Sequence, residues 1–325
     1  MKKIQILIDP SHSNWILGGL FNEVAECNAN FFLKPKKISN IKSKFIFTTV
    51  VNIFKLSFQK NPILFSSVTP LENFLKLSKF NSNLKILWFT HQYGVISNNT
   101  ISALKKADLI FVHSKQEIDF LRQYNNSSPI IPLIGAIKPE LFSRVTRSGK
   151  KIAFIGTSAK RKNPDVFLQF AIDNPNLQFK VLGRNWENQE IWRICKGLKN
   201  IEYIEIQKQI NSYDLMDCSH YLMLSSKEGG PISLIESVAA GLIPICTRTG
   251  IVEDFLGECG YSDQIIDFPI DFNIIKKKIA IPYSQKQKSF AAKKALEYSI
   301  SSFTKKLESQ IIAKLHNDDI ESPVK

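Results

Sequence analysis

Residues 225–244 read Ser-Ser-Lys-Glu-Gly-Gly-Pro-Ile-Ser-Leu-Ile-Glu-Ser-Val-Ala-Ala-Gly-Leu-Ile-Pro. Two carboxylates, Glu228 and Glu236, enclose an insert that holds Gly229, Gly230, Pro231 and the start of an apolar run at Ile232. A glycine pair between a strand and a helix lets a ligand approach the backbone closely. Proline suits the first helical turn, where its missing N–H would have no partner anyway. The helix start offers unpaired N–H groups and a positive dipole end to an anion. Gly241 reads as the helix stop, with Pro244 beyond it. An anion at that helix start, with carboxylates beside it to accept bonds from hydroxyls, suits a sugar nucleotide. A plainer reading stays open, in which Ser233 and Glu236 form a capping box and Glu228 is a solvated loop carboxylate.

Upstream, residues 152–164 read Ile-Ala-Phe-Ile-Gly-Thr-Ser-Ala-Lys-Arg-Lys-Asn-Pro, a strand, a glycine turn and a basic loop. Between and around these two stretches, short apolar strands alternate with helical segments, the pattern of a parallel sheet with crossover helices. Strands are expected over 151–155, 179–182, 201–204, 221–224 and 243–246, and helices over 164–172, 191–196, 210–216 and 232–240. Residues 286–315 form a long basic amphipathic stretch, read as one or two closing helices, and the tail after it is polar.

The first half shows the same alternation. Strands are expected over 4–9, 63–66, 85–90, 109–113 and 130–133, and helices over 19–28, 71–80, 100–106 and 115–123, while 39–58 carries both signals. The fold class is therefore α/β, with a parallel sheet and crossover helices in each half. The expected domains are 1–147, 148–285 and a closing segment 286–325, with the polar run 143–149 as linker. A chain of 325 residues suits two domains of ordinary size.

Composition narrows the setting. No apolar run approaches the roughly 18 residues that span a bilayer, and Gln5 and Asp9 break the first apolar run, so it reads as a strand rather than a leader. Five scattered cysteines without paired spacing point to a reducing cytoplasm. The net charge of +14 is uneven: residues 1–147 hold 19 basic against 8 acidic side chains. The surplus, including Lys34, Lys36, Lys37, Lys42 and Lys44, would draw an anionic membrane face or anionic glycan, or is simply a lysine-rich surface. Nucleic acid is not expected as a partner, since charge without a recognition motif is insufficient.

Taken together, 225–244 and 152–164 resemble retaining glycosyltransferases of the GT-B fold, the group 1 glycosyl transferases, over about 15–310. The resemblance implies an α/β fold of two Rossmann-like, doubly wound domains facing a cleft, the first for the acceptor and the second for a nucleoside diphosphate sugar, with the donor in the cleft. It places Glu228 on the donor sugar, Glu236 on the ribose, and Gly156 and Lys162 beneath the diphosphate with the Gly229, Gly230, Pro231 and Ile232 backbone. The family usually carries an arginine directly after the glycine, where this chain has Thr157. Arg161, Lys160 or Arg184 would then supply that charge, or the diphosphate is less well neutralised. Gly183 and Arg184 resemble the loop facing the base, and 207–210 the segment that contacts it through the backbone. Gly18 and Gly19 resemble the acceptor-side glycine loop. His91, at the end of a strand, matches a histidine near the donor sugar. His113 is expected to pack, and His12 is a minor candidate.

No Asp-x-Asp pair, Walker loop or Gly-x-Gly-x-x-Gly fingerprint occurs at a suitable place. Transfer without metal or cofactor is therefore expected, to a glycan or lipid-linked acceptor in surface polysaccharide or lipopolysaccharide synthesis, in the cytoplasm or on the inner membrane face. Two rivals remain: a sugar-nucleotide epimerase, and a non-catalytic binder of glycan or nucleotide.

Overall fold

The computed structural model describes residues 4–7, 16–33, 61–77, 83–89, 97–142, 149–187, 190–206 and 210–321. They form two compact units, Met1–Gly135 with Ile300–Lys325, and Ala136–Ser299. The boundary thus falls before the expected linker, of which 143–148 lie outside the described residues.

In the first unit the chain runs β1 (Ile4–Leu7), α1 (Ile16–Cys27), β2 (Phe31–Leu33), β3 (Ile63–Phe65), α2 (Val68–Leu77), β4 (Lys85–Trp88), α3 (Asn98–Lys106), β5 (Leu109–Val112), α4 (Lys115–Arg122) and β6 (Ile130–Pro132). Its sheet has the order β2-β1-β3-β4-β5-β6, every neighbour parallel. Both sheet faces are covered, which explains why the strands read as unbroken apolar runs. On one face Phe65, Leu87 and Ile110 pack with Leu71, Phe74 and Leu104 of the helices. Trp88 meets Phe21 of α1 edge-on, with ring centroids 5.7 Å apart. Helix starts follow local chemistry: Ser97 caps α3 through Thr100 N, and Ser114 and Glu117 form a capping box on α4.

The last helix of the chain belongs here too. In it, Phe303 stacks on Trp88 at 5.2 Å, and Glu308 accepts bonds from the side chains of Asn28 and Asn30, each 2.7 Å. Through these contacts the part of the expected closing segment from Ile300 onward joins the first unit.

The second unit runs β7 (Lys151–Ile155), α5 (Pro164–Ile172), β8 (Phe179–Gly183), α6 (Glu190–Cys195), β9 (Ile201–Glu205), β10 (Cys218–Met223), α7 (Ile232–Ala239), β11 (Ile243–Thr247), α8 (Val252–Cys259), β12 (Ile265–Ile266), α9 (Phe272–Ile279) and α10 (Gln285–Leu296), with α11 (Ile300–Glu321) being the helix that returns to the first unit. Its sheet has the order β12-β11-β10-β7-β8-β9, again parallel throughout. Phe154, Phe167 and Trp186 form an aromatic core, Phe154 and Phe167 with centroids 4.5 Å apart. At the amino edge, Asp217 receives Lys151 at 2.8 Å and Lys180 at 2.9 Å. Burial alone would raise the Asp217 carboxyl, but the two ammoniums override it and hold the pKa at about 2.

Three expectations need correction. Residues 210–216 do not form a helix: Asn211 Oδ1 accepts from Tyr213 N and Asp214 N, while Asp214 takes Asn211 N. Such local side-chain bonds offer the backbone an alternative to the helix ladder. Gly18 and Gly19 stand in the first turn of α1, not in a loop. The α1 start absorbs them because its first N–H groups need no helical partner. Finally β2, α8, β12 and α9 were not foreseen.

Among the described residues no helix is long and apolar enough to cross a membrane. Cys27, Cys218, Cys246 and Cys259 are free thiols, the last three buried.

Candidate active site

The second sheet grows from β7 through β8 to β9, then resumes with β10 on the other side of β7. Where the order reverses, the loops leaving two adjacent strands turn apart and open a crevice at the carboxyl edge. The loop after β7 carries Gly156–Asn163, and the loop after β10 carries Leu224–Pro231.

The first loop is shaped around Lys162. Gly156 has φ +147°, and a Cβ there would lie 3.3 Å from Lys162 Cε. Its N–H donates to Leu182 O at 2.9 Å, and its carbonyl accepts from Trp186 Nε1 at 2.8 Å. Lys160–Lys162 form a single 3-10 turn that ends on Asn163 in the left-handed region, φ 52°. Asn163 Nδ2 then donates to Leu224 O at 2.7 Å, and Ser226 N to Arg161 O at 2.8 Å. The two loops are thereby tied together, once backbone to backbone and once through the Asn163 side chain.

The second loop rests on a third, after β11. Glu228 N donates to Thr249 Oγ1 at 2.9 Å, and Ile251 N to Gly229 O at 3.0 Å. Gly250, φ +56°, admits this contact, since a Cβ would stand 2.0 Å from Gly229 O.

These supports bring three charged groups together. Glu228 Oε1 lies 2.6 Å from Lys162 Nζ and 2.5 Å from Arg161 Nη1. The Glu228 side chain is only 5% exposed and that of Lys162 9%. Burial works against the Glu228 carboxylate, yet Lys162 and Arg161 outweigh it and hold its pKa below the ordinary range. Burial also holds the Lys162 ammonium below the ordinary lysine range, against the pull of Glu228. Two cations thus share one carboxylate oxygen.

Helix α7 starts beside them. Its N-cap is Pro231, with no side-chain cap bond. The capping-box reading therefore fails: Ser233 Oγ pairs instead with Tyr221 Oη at 2.9 Å, and Glu236 is buried on the helix at 6% exposure. The backbone N–H groups of the first turn have no capping side chain.

Of the residues singled out in the sequence, Glu228, Lys162, Arg161, Gly156, Gly229, Gly230, Pro231, Ile232 and Glu236 all fall on this edge. Arg184 is on the neighbouring loop, where Ser158 N meets its carbonyl at 3.4 Å, but its Nε donates to Ile206 O at 2.8 Å. Lys160 is exposed. Of the three substitutes for an arginine at Thr157, Arg161 is the one that pairs with Glu228. Gly18 and Gly19 lie in the first unit. His113 is buried, edge-on to Trp88 at 5.1 Å, a packing residue as expected. His91, His12 and 207–209 lie outside the described residues. Thr249 and Gly250 were missed, although a polar-glycine run just after a buried strand is the signal that would have found them. Among the described residues no group of three His, Cys, Asp or Glu side chains gathers as metal ligands would.

Residues 141–280 match the family model described as glycosyl transferases group 1. Comparison with curated proteins finds no match. Among solved structures, sucrose-phosphate synthase from Thermosynechococcus elongatus is similar with a TM-score of 0.73 at 14% identity, covering 98% of this chain and 100% of that one. HepE from Anabaena, in complex with UDP-glucose, gives 0.72 at 10% identity over 96% and 100%. The lipopolysaccharide outer core galactosyltransferase WaaB gives 0.71 at 13% identity over 96% and 99%. The match over 141–280 bears out the resemblance to group 1 glycosyl transferases for that stretch, and the solved structures bear out the α/β fold with two Rossmann-like units.

Proposed function

We propose that this chain, with the GT-B fold and a group 1 glycosyltransferase domain over 141–280, moves a sugar from a nucleoside diphosphate to a glycan or lipid-linked acceptor. Configuration is retained and no metal is needed, and the product enters surface polysaccharide or lipopolysaccharide. The observation that carries this reading is the convergence of Lys162 and Arg161 on Glu228 at the reversal of strand order, next to the uncapped start of α7. The solved HepE complex with UDP-glucose favours a nucleoside diphosphate sugar as donor.

In the reaction the bond between the anomeric carbon and the diphosphate oxygen breaks. Negative charge grows on that oxygen, where Lys162, Arg161 and the backbone N–H groups of Gly229, Gly230 and Ile232 stabilise it. Fixed cations aimed at developing charge lower the barrier more than they stabilise the ground state. Glu228 accepts bonds from the donor sugar and Glu236 from the ribose. The acceptor oxygen forms the new bond to the anomeric carbon, and its proton passes to the leaving phosphate oxygen. His91 is expected near the donor sugar.

A panel of nucleoside diphosphate sugars, read by thermal shift and by mass spectrometry for hydrolysis and transfer, tests this. Stabilisation by one donor, with release of its diphosphate that excess chelator does not stop, is expected. Epimerised donor without transfer, or binding without turnover, would assign the site to one of the rival activities. Lys162→Ala should weaken the nucleoside diphosphate far more than the nucleoside; equal losses would mean Lys162 acts on folding.

A further inference from the structure

Residues 272–296 contain seven lysines and no acidic residue: Lys276, Lys277, Lys278, Lys286, Lys288, Lys293 and Lys294. This concentration lies in the half of the chain whose overall charge is nearly balanced, on the consecutive helices α9 and α10 of the second unit. Helix α10 is one-sided. Ala291 and Ala295 are buried where it packs on α7 and α8. Lys286, Phe290 and Lys293 recur at a spacing that shares one helix face, and all three are exposed. Phe290 leaves 50% of its surface in solvent, and Ile274 on α9 leaves 40%. Lys278 donates to Asp263 O and Lys294 pairs with Glu297. Lys276, Lys277, Lys286 and Lys293 take no carboxylate partner among the described residues.

An aromatic side chain held in water between two unpaired lysines is poorly used in a free surface. The same arrangement suits a bilayer boundary, where the ring enters the headgroup layer and the ammoniums meet anionic lipid. The cations are all lysine, without one arginine in the span. Lysine is a compact point charge without the planar fork that reads individual phosphates, which fits a diffuse anionic surface better than nucleic acid.

We propose that the exposed α10 face of the second unit docks on an anionic bilayer, with Phe290 entering the headgroup boundary between Lys286 and Lys293. This stretch is separate in sequence from Lys34–Lys44, and the proposal stands whether or not the transfer reading holds.

The test is co-sedimentation of the full chain with phosphatidylcholine vesicles, with and without phosphatidylglycerol. Wild type should bind only the anionic vesicles, and salt should release it. Each lysine near such a surface is worth about fivefold in binding, so K286Q/K293Q should weaken it by roughly twentyfold. Phe290→Ser should weaken it while keeping the salt dependence. All three side chains are exposed, so circular dichroism should stay unchanged. Failure to bind anionic vesicles overturns the proposal. So does wild-type binding by both variants while K34Q/K36Q/K37Q abolishes it. Tighter binding to a duplex oligonucleotide through Lys286 and Lys293 would make the face a nucleic-acid site instead.

Discussion

Lys162 Nζ lies 2.6 Å from Glu228 Oε1, although the two residues come from different loops and both side chains are almost wholly buried. On the proposed reading, the cation assigned to the diphosphate is thus already held by the carboxylate assigned to the sugar. Arg161 shares the same oxygen at 2.5 Å. On that reading an incoming diphosphate would compete with Glu228 for both cations.

Glu228→Gln should therefore separate binding from turnover. Removing the competing charge should raise nucleoside diphosphate affinity by about tenfold or more, since a charged hydrogen bond contributes about 1.5–3 kcal/mol. Turnover should fall by at least about a hundredfold, the scale of losing one interaction made in the transition state. Calorimetry with the nucleoside diphosphate and a transfer assay would check it. Weaker diphosphate binding in the variant would refute the competition.

Arg161→Ala should lower diphosphate affinity, while Arg184→Ala should leave it within about twofold. The basis is geometric: Arg161 is on Glu228, whereas Arg184 Nε is taken by Ile206 O. The reverse order of effects would move the second cation to position 184.

Gly156→Ala should damage the site through shape. A non-glycine residue in that backbone region costs about 1–3 kcal/mol, and the new methyl would press on Lys162 Cε at 3.3 Å. Gly260→Ala is the control, because φ is +76° there but nothing stands near the added carbon. Both should lose stability in chemical denaturation, yet only Gly156→Ala should weaken nucleotide binding.

Acid should weaken the second unit through Asp217. Its folded pKa of about 2 lies below the ordinary aspartate value near 3.9, so the unfolded chain binds its proton first. The stabilisation is complete above about pH 4 and is lost as pH falls toward 2. Asp217→Asn should flatten the slope of stability against pH in that window. At neutral pH it should cost about 1–3 kcal/mol, because Lys151 and Lys180 lose their shared partner. An unchanged slope would show that other carboxylates govern acid unfolding.

Much of the fold was readable because its signals are local. Continuous apolar strands such as 151–155, cap residues such as Ser114, and the helix stop at Gly241 act through their nearest neighbours. The helix expected over 210–216 failed on the same ground, since Asn211 and Asp214 bind their own backbone more readily than they continue a helix. The capping box at Ser233 and Glu236 had the right spacing, but Tyr221 from β10 claims the hydroxyl.

By itself, then, the sequence determined two parallel α/β units, a glycine-rich helix start flanked by Glu228 and Glu236, and a basic loop holding Lys162. Only the tertiary structure decided that Arg161 rather than Arg184 joins Lys162 on Glu228, that Thr249 and Gly250 support the Glu228 loop, and that the last helix completes the first unit. The physical reason is that pattern and capping act over a few residues. Which loops meet is set instead by the order and register of β7, β10 and β11, whose hydrogen bonds align residues far apart in the chain.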